Sequence, residues 1–143
     1  MIWKATMYKK YFLLLLFCLL FPVLATASKA SKAQKLLDTT LASYALAIRW
    51  SDFDAALSNL DPTVQREDDY VDIIENRFKD IQITNYILKS VVWPDEQTYM
   101  QRVEIRFIDV NTQVEVSMID KQTWRYDPVA KRWWLVSGLP MIE

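Results

Sequence analysis

The sequence predicts an α+β fold in which N-terminal helices pack on a curved, four-stranded antiparallel sheet. Apolar residues of the first half recur every three or four positions, which is typical of amphipathic helices. From Ile81 onwards they alternate with polar residues, which is typical of strands. The alternating segments follow one another with only short turns between them, which favours adjacent antiparallel strands. Helices followed by strands indicate the segregated α+β class.

Residues 1–27 have the features of a secretory signal peptide, with a basic start, an apolar segment over 11–24 and a small-x-small motif. The basic residues and the motif are Lys4, Lys9, Lys10 and Ala25-Thr26-Ala27. We expect cleavage between Ala27 and Ser28 and a periplasmic or secreted product. The alternative is an uncleaved membrane anchor, although the apolar segment is at the short limit for crossing a bilayer and Pro22 interrupts it. Contact with a membrane is expected only in that alternative.

Residues 28–143 are expected to form a single domain. The whole chain has no His, one Cys and one Gly, with a net charge of −1. The absence of His excludes His-based catalysis and His-ligated zinc or haem. The lone Cys18 lies in the predicted signal peptide, so no disulfide is expected, and one Gly is too few for a phosphate-binding loop. We therefore expect no cofactor, no metal and, from the near-neutral charge, no nucleic acid partner.

Three helices are predicted in the first half. The first ends at about Arg49 and follows a frayed segment over 28–34. The second is short, with Ser51 as its N-cap, and ends before Pro62. The third covers 67–79, with acidic residues at its start and basic residues at its end, as the helix dipole favours. Their apolar faces are Leu37-Leu41-Tyr44-Ile48, Phe53-Leu57-Leu60 and Tyr70-Ile74-Phe78.

Four strands are predicted in the second half, the first with a bulge near Tyr86. They cover 81–93, 99–107, a segment from Val114 to Tyr126, and 132–137, joined by turns at 94–96, 109–112 and 126–130. The second strand has one apolar and one largely charged face. In the last strand Trp133 and Trp134 point to opposite faces. Either a partner chain covers the outer face there, or one of these tryptophans is exposed.

Several segments resemble, in their order and their amino-acid sequence, the corresponding segments of one superfamily. They are the helix 37–48, Ser51–Leu57, Phe78–Tyr86, Thr123–Asp127 and Arg132–Pro140. The chain from about residue 33 to 140 resembles the NTF2-like superfamily, also called SnoaL-like or ketosteroid-isomerase-like, with a cystatin-like cone shape. The resemblance implies a pocket between the helices and the sheet, and homodimers through the outer face of the sheet. It implies no single function, because members include enzymes, binding modules and secretion-system scaffolds.

Asp120 is the best candidate for a catalytic residue. Isomerase chemistry of this superfamily needs an inward carboxylate base and a tyrosine or protonated acid as donor. Asp120 lies at even spacing from Val116 and Met118, so it points inward unless a bulge near Met118 turns it outward. The candidate donors are Tyr44, Tyr86 and Tyr99. No catalytic motif of the superfamily matches, and His, on which several of its enzymes depend, is absent, so no catalytic residue is carried over.

Aromatic residues are the candidates for a ligand pocket. The residues expected to line it are Tyr44, Trp50, Tyr86, Phe107 and Trp124. A group of tryptophans, Trp50, Trp93, Trp124, Trp133 and Trp134, either lines such a pocket or packs the core.

Two charged groups have alternative interpretations. Arg102, Arg106 and Arg125 share the outer sheet face with Glu104, which favours either an anion or partner site or simple cross-strand charge pairs. The acidic run over 67–75 is either a Ca²⁺ site or a solvated helix start.

The sequence therefore predicts an exported, non-catalytic binding protein. Its expected partner is a small apolar ligand in the cone, or a protein bound through the sheet, including a second copy of the chain. The first alternative is a lyase or isomerase that uses Asp120 and a tyrosine donor. The second is an anchored scaffold of an envelope or secretion assembly, if residues 1–27 are not removed.

Overall fold

The protein is described by a computed structural model that covers residues 21–65 and 69–142, with side chains from residue 32 onwards. Two compact units are distinguished, residues 1–34 and 35–143. Within the described residues the helices are α1 (Phe21–Arg49), α2 (Phe53–Leu57) and α3 (Tyr70–Phe78), followed by the strands β1 (Ile81–Asp95), β2 (Thr98–Asp109), β3 (Glu115–Asp127) and β4 (Arg132–Leu135). The predicted α+β class is confirmed. Residues 1–20 of the predicted signal peptide lie outside the described residues.

Helix α1 is longer than predicted, because it begins at Phe21 and includes the segment 28–34. The prediction that this segment is frayed was wrong. Alanine recurs through it, and alanine is the strongest helix former. Pro22 lies in the first turn, where its missing N–H costs no helical hydrogen bond. None of the helices in the described part of the chain is both long and apolar enough to cross a membrane.

Helices α2 and α3 begin later than predicted. The N-cap of α2 is Asp52, whose Oδ1 accepts a hydrogen bond from the Ala55 N–H at 3.1 Å. Ser51, the predicted cap, instead turns the chain with a φ of 54°. Helix α3 begins only at Tyr70, after Asp69, which has a φ of 67°. Residues 66–68, which contain part of the predicted start, lie outside the described residues.

The four strands form an antiparallel sheet in the order β1-β2-β3-β4, as the sequence predicts. The register of β1 against β2 shifts between Ile83 and Asn85 and again between Leu88 and Ser90, on either side of the bulge predicted near Tyr86. The pairing of β2 with β3 has no shift over its whole length. Side chains therefore alternate regularly between the two faces of these strands.

The core lies between the helices and one face of the sheet, which we call the inner face. Its buried side chains include Leu37, Tyr44 and Ile48 from α1, Ile74 and Phe78 from α3, and Val103, Ile105, Phe107, Trp124, Trp133 and Leu135 from the sheet. The opposite, outer face carries the charged residues of β2. The edge of β4 is covered, because Leu60 forms a parallel bridge with Leu135, the Asp61 N–H donates to the Leu135 carbonyl, and the Leu135 N–H donates to the Asn59 carbonyl.

The two tryptophans of β4 differ in environment. Trp133 is buried against Tyr126, with ring centroids 5.3 Å apart, and Trp93 also contacts it. Trp134 is half-buried, and the Arg132 guanidinium lies 3.8 Å from the centroid of its ring. Of these two tryptophans, Trp134 is therefore the one that stays partly exposed on this single chain.

Candidate functional site

A buried group of polar side chains occupies the inner face where β1, β2 and β3 meet. We call it the inner polar cluster, and its members are Tyr86, Tyr99, Gln101, Asp120 and Gln122. Gln101 pairs with Gln122 across the strands, and Asp120 and Gln122 are two residues apart on β3, so all three point to the same face. Asp120 is 8% exposed and Gln122 is 1% exposed.

The side-chain amide of Gln122 holds the cluster together. Its Oε1 accepts hydrogen bonds from Gln101 Nε2 at 2.7 Å and Trp124 Nε1 at 3.3 Å. Its Nε2 donates to Asp120 Oδ2 at 2.7 Å. The Tyr86 hydroxyl lies 2.8 Å from Nε2 and 3.2 Å from Oε1. Because the amide is bonded on both sides, the orientation of the Asp120 carboxyl is fixed by its neighbours.

Asp120 is the member of the cluster whose charge changes near neutral pH. Burial raises the pKa of its carboxyl to about 6, and the hydrogen bond from Gln122 opposes the increase. Both salt bridges among the described residues involve Glu104, so no cation pairs with Asp120 there. The unbroken register of β3 places Asp120 on the inner face, with no bulge near Met118. The cluster therefore contains a buried carboxyl that is ready to exchange a proton.

Tyr44 of α1 faces the cluster from the helical side. It is fully buried, and its ring meets the Trp124 ring edge-on with the centroids 5.1 Å apart. Its hydroxyl has no hydrogen-bond partner among the described residues. Burial, and next the charge of Asp120, raise the pKa of this hydroxyl well above its ordinary value. A buried hydroxyl without a partner costs about 1–3 kcal/mol, so a hydrogen bond to this hydroxyl would be favourable.

The other tyrosines are also neutral donors. Burial raises the pKa of Tyr86 far above its ordinary value, and burial raises that of Tyr99 as well. The Tyr99 hydroxyl donates to Gln101 Oε1 at 3.0 Å. A titrating carboxyl thus lies beside tyrosine hydroxyls that stay protonated. Such an arrangement can bind a ligand hydroxyl or carbonyl, or move a proton.

The structure brings together only part of the predicted site. Tyr86 and Trp124 bond to Gln122, the residue that donates to Asp120, and Tyr44 packs against Trp124. Phe107 is buried further along β2, opposite Val116. Trp50 is 80% exposed and lines a separate surface pocket of about 370 Å³ with Arg49, Ser51, Ile81, Gln82 and Ile83. The sequence analysis did not single out Gln101 or Gln122, although their even spacing from buried positions was a usable signal.

Two further pockets lie elsewhere on the sheet. One, of about 330 Å³, is lined by Asp61, Pro62, Arg125, Tyr126, Asp127, Pro128 and Trp134. The other, of about 210 Å³, is lined by Ser90, Val92, Met100, Gln101, Arg102, Lys121 and Gln122. Within the described residues no group of three or more acidic or Cys side chains is placed to hold a metal ion, and Glu67 and Asp68 of the acidic run lie outside them.

Comparison with models of protein families finds no match to the chain, and comparison with curated proteins finds none either. Function is therefore argued from the inner polar cluster and the surfaces around it.

Proposed function

We propose that the protein is an exported binding domain of the NTF2-like type, whose ligand lies between the helices and the curved sheet. The order of helices and strands and the helix-covered inner face support this assignment. The observation that carries the binding function is the unpartnered hydroxyl of Tyr44 beside Asp120. The ligand is small and mostly apolar, with one hydrogen-bonding group.

The two ends of such a ligand meet different surroundings. The aromatic rings of Tyr44 and Trp124 offer apolar contact area. A ligand hydroxyl accepts a hydrogen bond from the Tyr44 hydroxyl and donates one to the Asp120 carboxylate. The Tyr44 hydroxyl thereby gains the partner that it lacks among the described residues. A ligand without this hydroxyl leaves the Tyr44 hydroxyl unpaired, which is costly in a buried site. The cluster therefore selects for one polar group on an apolar body.

Phenol and benzene test this proposal, because they differ by a single hydroxyl. We expect NMR titration to show that phenol binds at least tenfold more tightly than benzene. Tyr44→Phe should remove that preference, whereas Tyr126→Phe, a partly buried tyrosine that packs on Trp133, should keep it. Equal binding of both probes to the unaltered protein, no binding at all, or a preference that survives in Tyr44→Phe would contradict the proposal.

A second function is favoured by one observation, the pKa of about 6 for Asp120 next to neutral tyrosines. A carboxylate with a pKa near neutrality is a suitable general base, and the tyrosine hydroxyls are suitable donors to a developing enolate oxygen. The corresponding reaction is a lyase-type or isomerase-type proton transfer next to a carbonyl.

Conversion of cyclohex-3-enone to cyclohex-2-enone, followed by ultraviolet absorbance, tests the catalytic alternative. The rate is expected to increase with pH through about 6, as the base ionises. Asp120→Asn should lower it at least a hundredfold, within the range of general base effects. Rates that are the same for the protein and this variant would eliminate the alternative.

Export is tested independently by intact mass. Expression with the complete N-terminus is expected to yield a secreted or periplasmic product that begins at Ser28. A product that keeps residues 1–27 in the membrane fraction would instead favour the anchored scaffold.

A further inference from the structure

A row of polar residues crosses the outer face of the sheet. Ser90 of β1 pairs with Arg102 of β2, and Arg102 pairs with Lys121 of β3. Cross-strand partners point to the same face, so the three side chains lie side by side. All three are exposed. Two positive groups directly opposite each other repel, so this position is electrostatically unfavourable without a counter-ion.

The chain does not neutralise this pair within its described residues. The nearest acid on this face in the register is Glu104, and it is already paired: Lys89 Nζ lies 2.7 Å from Oε2 and Arg106 Nε lies 2.6 Å from Oε1. These hydrogen bonds hold the pKa of Glu104 below its usual value. Arg102 and Lys121 have no ion pair among the described residues, so their positive charge is available to an anion.

The pocket of about 210 Å³ on the outer face includes this row and an apolar wall. The wall is made by Val92 and Met100, which pair with each other two register positions along from Ser90 and Arg102 and so lie on the same face. Val92 is 58% exposed and Met100 is 41% exposed. Two cations, a hydroxyl and an exposed apolar surface therefore share one depression.

We propose that this pocket binds a phosphate group carried on an apolar chain. The Arg102 guanidinium and the Lys121 ammonium bind phosphate oxygens through charge-assisted hydrogen bonds, and the Ser90 hydroxyl donates a further one. The apolar chain lies on Val92 and Met100 and removes them from water. Inorganic phosphate would bind the polar row but leave the apolar wall exposed to water, so we expect the pocket to prefer an alkyl phosphate. Gln101 and Gln122 of the inner polar cluster also line the pocket, but its two cations and its apolar wall lie on the outer face. The proposal does not depend on the function proposed for the cluster.

Calorimetric titration with hexyl phosphate, inorganic phosphate and hexanol tests the pocket. Hexyl phosphate is expected to bind at least tenfold more tightly than either of the others. Arg102→Gln/Lys121→Gln should weaken it at least tenfold, and Val92→Ser should remove most of the advantage over inorganic phosphate. Lys35→Gln/Lys79→Gln, which removes the same charge from exposed helical positions, should leave binding unchanged. Thermal melting checks that each variant is folded.

Some results would overturn the proposal. An equal loss in the helical control would mean that binding follows overall charge alone. Equal affinity for hexyl and inorganic phosphate would eliminate the role of the apolar wall, and no binding of hexyl phosphate would eliminate the site.

Lipid vesicles distinguish the two sources of a phosphate on an apolar chain, a lipid headgroup and a soluble alkyl phosphate. Binding to vesicles of phosphatidylglycerol and phosphatidylcholine, lost in Arg102→Gln/Lys121→Gln and absent with phosphatidylcholine alone, would identify a lipid headgroup as the source. Binding to hexyl phosphate but not to these vesicles would identify a soluble alkyl phosphate. Both results support the pocket itself.

Discussion

Asp120 is a carboxyl that the fold holds among amides and hydroxyls instead of cations. Among the described residues Asp120 accepts a hydrogen bond from Gln122, which is a neutral group, so desolvation prevails and the pKa of the carboxyl increases to about 6. The group binds a proton more readily in the folded state than in the unfolded chain. This difference links the stability of the protein to pH.

The pH dependence has a definite sign. Between about pH 4 and pH 6 the folded protein holds a proton on Asp120 that the unfolded chain releases, so the stabilisation present at low pH decreases as pH rises. Two units of pKa correspond to about 2–3 kcal/mol. Urea unfolding at pH 4 and pH 7 is expected to show this decrease, and Asp120→Asn should remove it. Glu75→Gln, which alters an exposed carboxyl on α3, should keep it.

Tyr44 and Tyr86 form a matched pair for a second prediction. Tyr44→Phe removes a buried hydroxyl without a partner, so the free energy of unfolding should increase by about 1 kcal/mol. Tyr86→Phe removes a hydroxyl bonded to Gln122 and should lower it by about the same amount. Urea unfolding of both variants measures the two changes. Destabilisation by Tyr44→Phe would mean that its hydroxyl has a partner in solution.

The sequence indicated the orientation of a single strand residue only where its neighbours at even spacing were apolar. Even spacing in β3 left Asp120 pointing inward or, with a bulge near Met118, outward, and the unbroken register places it on the inner face. The same spacing puts Gln101 and Gln122 on the inner face, yet a glutamine in a strand is usually read as a surface residue. What makes these glutamines suitable for the interior is that Gln101 donates a hydrogen bond to Gln122 on the neighbouring strand, and such a bond is not visible in one strand alone.

At the scale of elements, backbone conformation decides where the segments end. Alternation predicted the strands and their order, because a period of two is a direct consequence of strand geometry. Helix starts were less predictable, since Ser51 and Asp69 adopt positive φ and shift the caps away from the positions that composition favours. The segment after β4 shows the same effect: Gly138 has a φ of 84°.

Gly138→Ala is expected to destabilise the protein by about 1–2 kcal/mol, because L-residues disfavour this conformation. An added Cβ would also meet the Tyr70 hydroxyl at 3.0 Å. That hydroxyl accepts from the Leu139 N–H at 2.6 Å, so the contact cannot simply be released. Thermal unfolding of Gly138→Ala alone and with Tyr70→Phe separates the two contributions. If the contact with the hydroxyl matters, the alanine should cost less in the Tyr70→Phe background.

The cross-strand pair of Arg102 and Lys121 makes a prediction for the sheet. Lys121→Glu replaces a repulsive pair with an attractive one and should raise the free energy of unfolding by about 0.5 kcal/mol. The gain should become smaller at high ionic strength, because both groups are exposed. Lys131→Glu, in the exposed turn before β4, is the control for overall charge. An equal increase in the free energy of unfolding of Lys131→Glu would mean that the pair of Arg102 and Lys121 is not the cause.

For the whole molecule, helices and sheet contribute to one core, and the described fully buried side chains begin at Leu37. We therefore expect residues 28–143 to unfold in one cooperative transition, with equal calorimetric and van't Hoff enthalpies. Two resolved transitions would contradict this. The sequence predicted this architecture correctly because element order and periodicity are local. The cone shape and the ligand remain predictions, since they depend on curvature and on cavities that no local pattern specifies.

The covered edge of β4 limits how copies of this chain can join. Residues 59–61 bond to that edge at Leu135, whereas the described part of the chain contains no segment bonded to the free side of β1. We therefore expect a second molecule to add its strand at β1, and after that addition both outer edges of the joined sheet are β4 edges. We expect growth to stop at two molecules, because a fibre needs an open edge at each end of every unit.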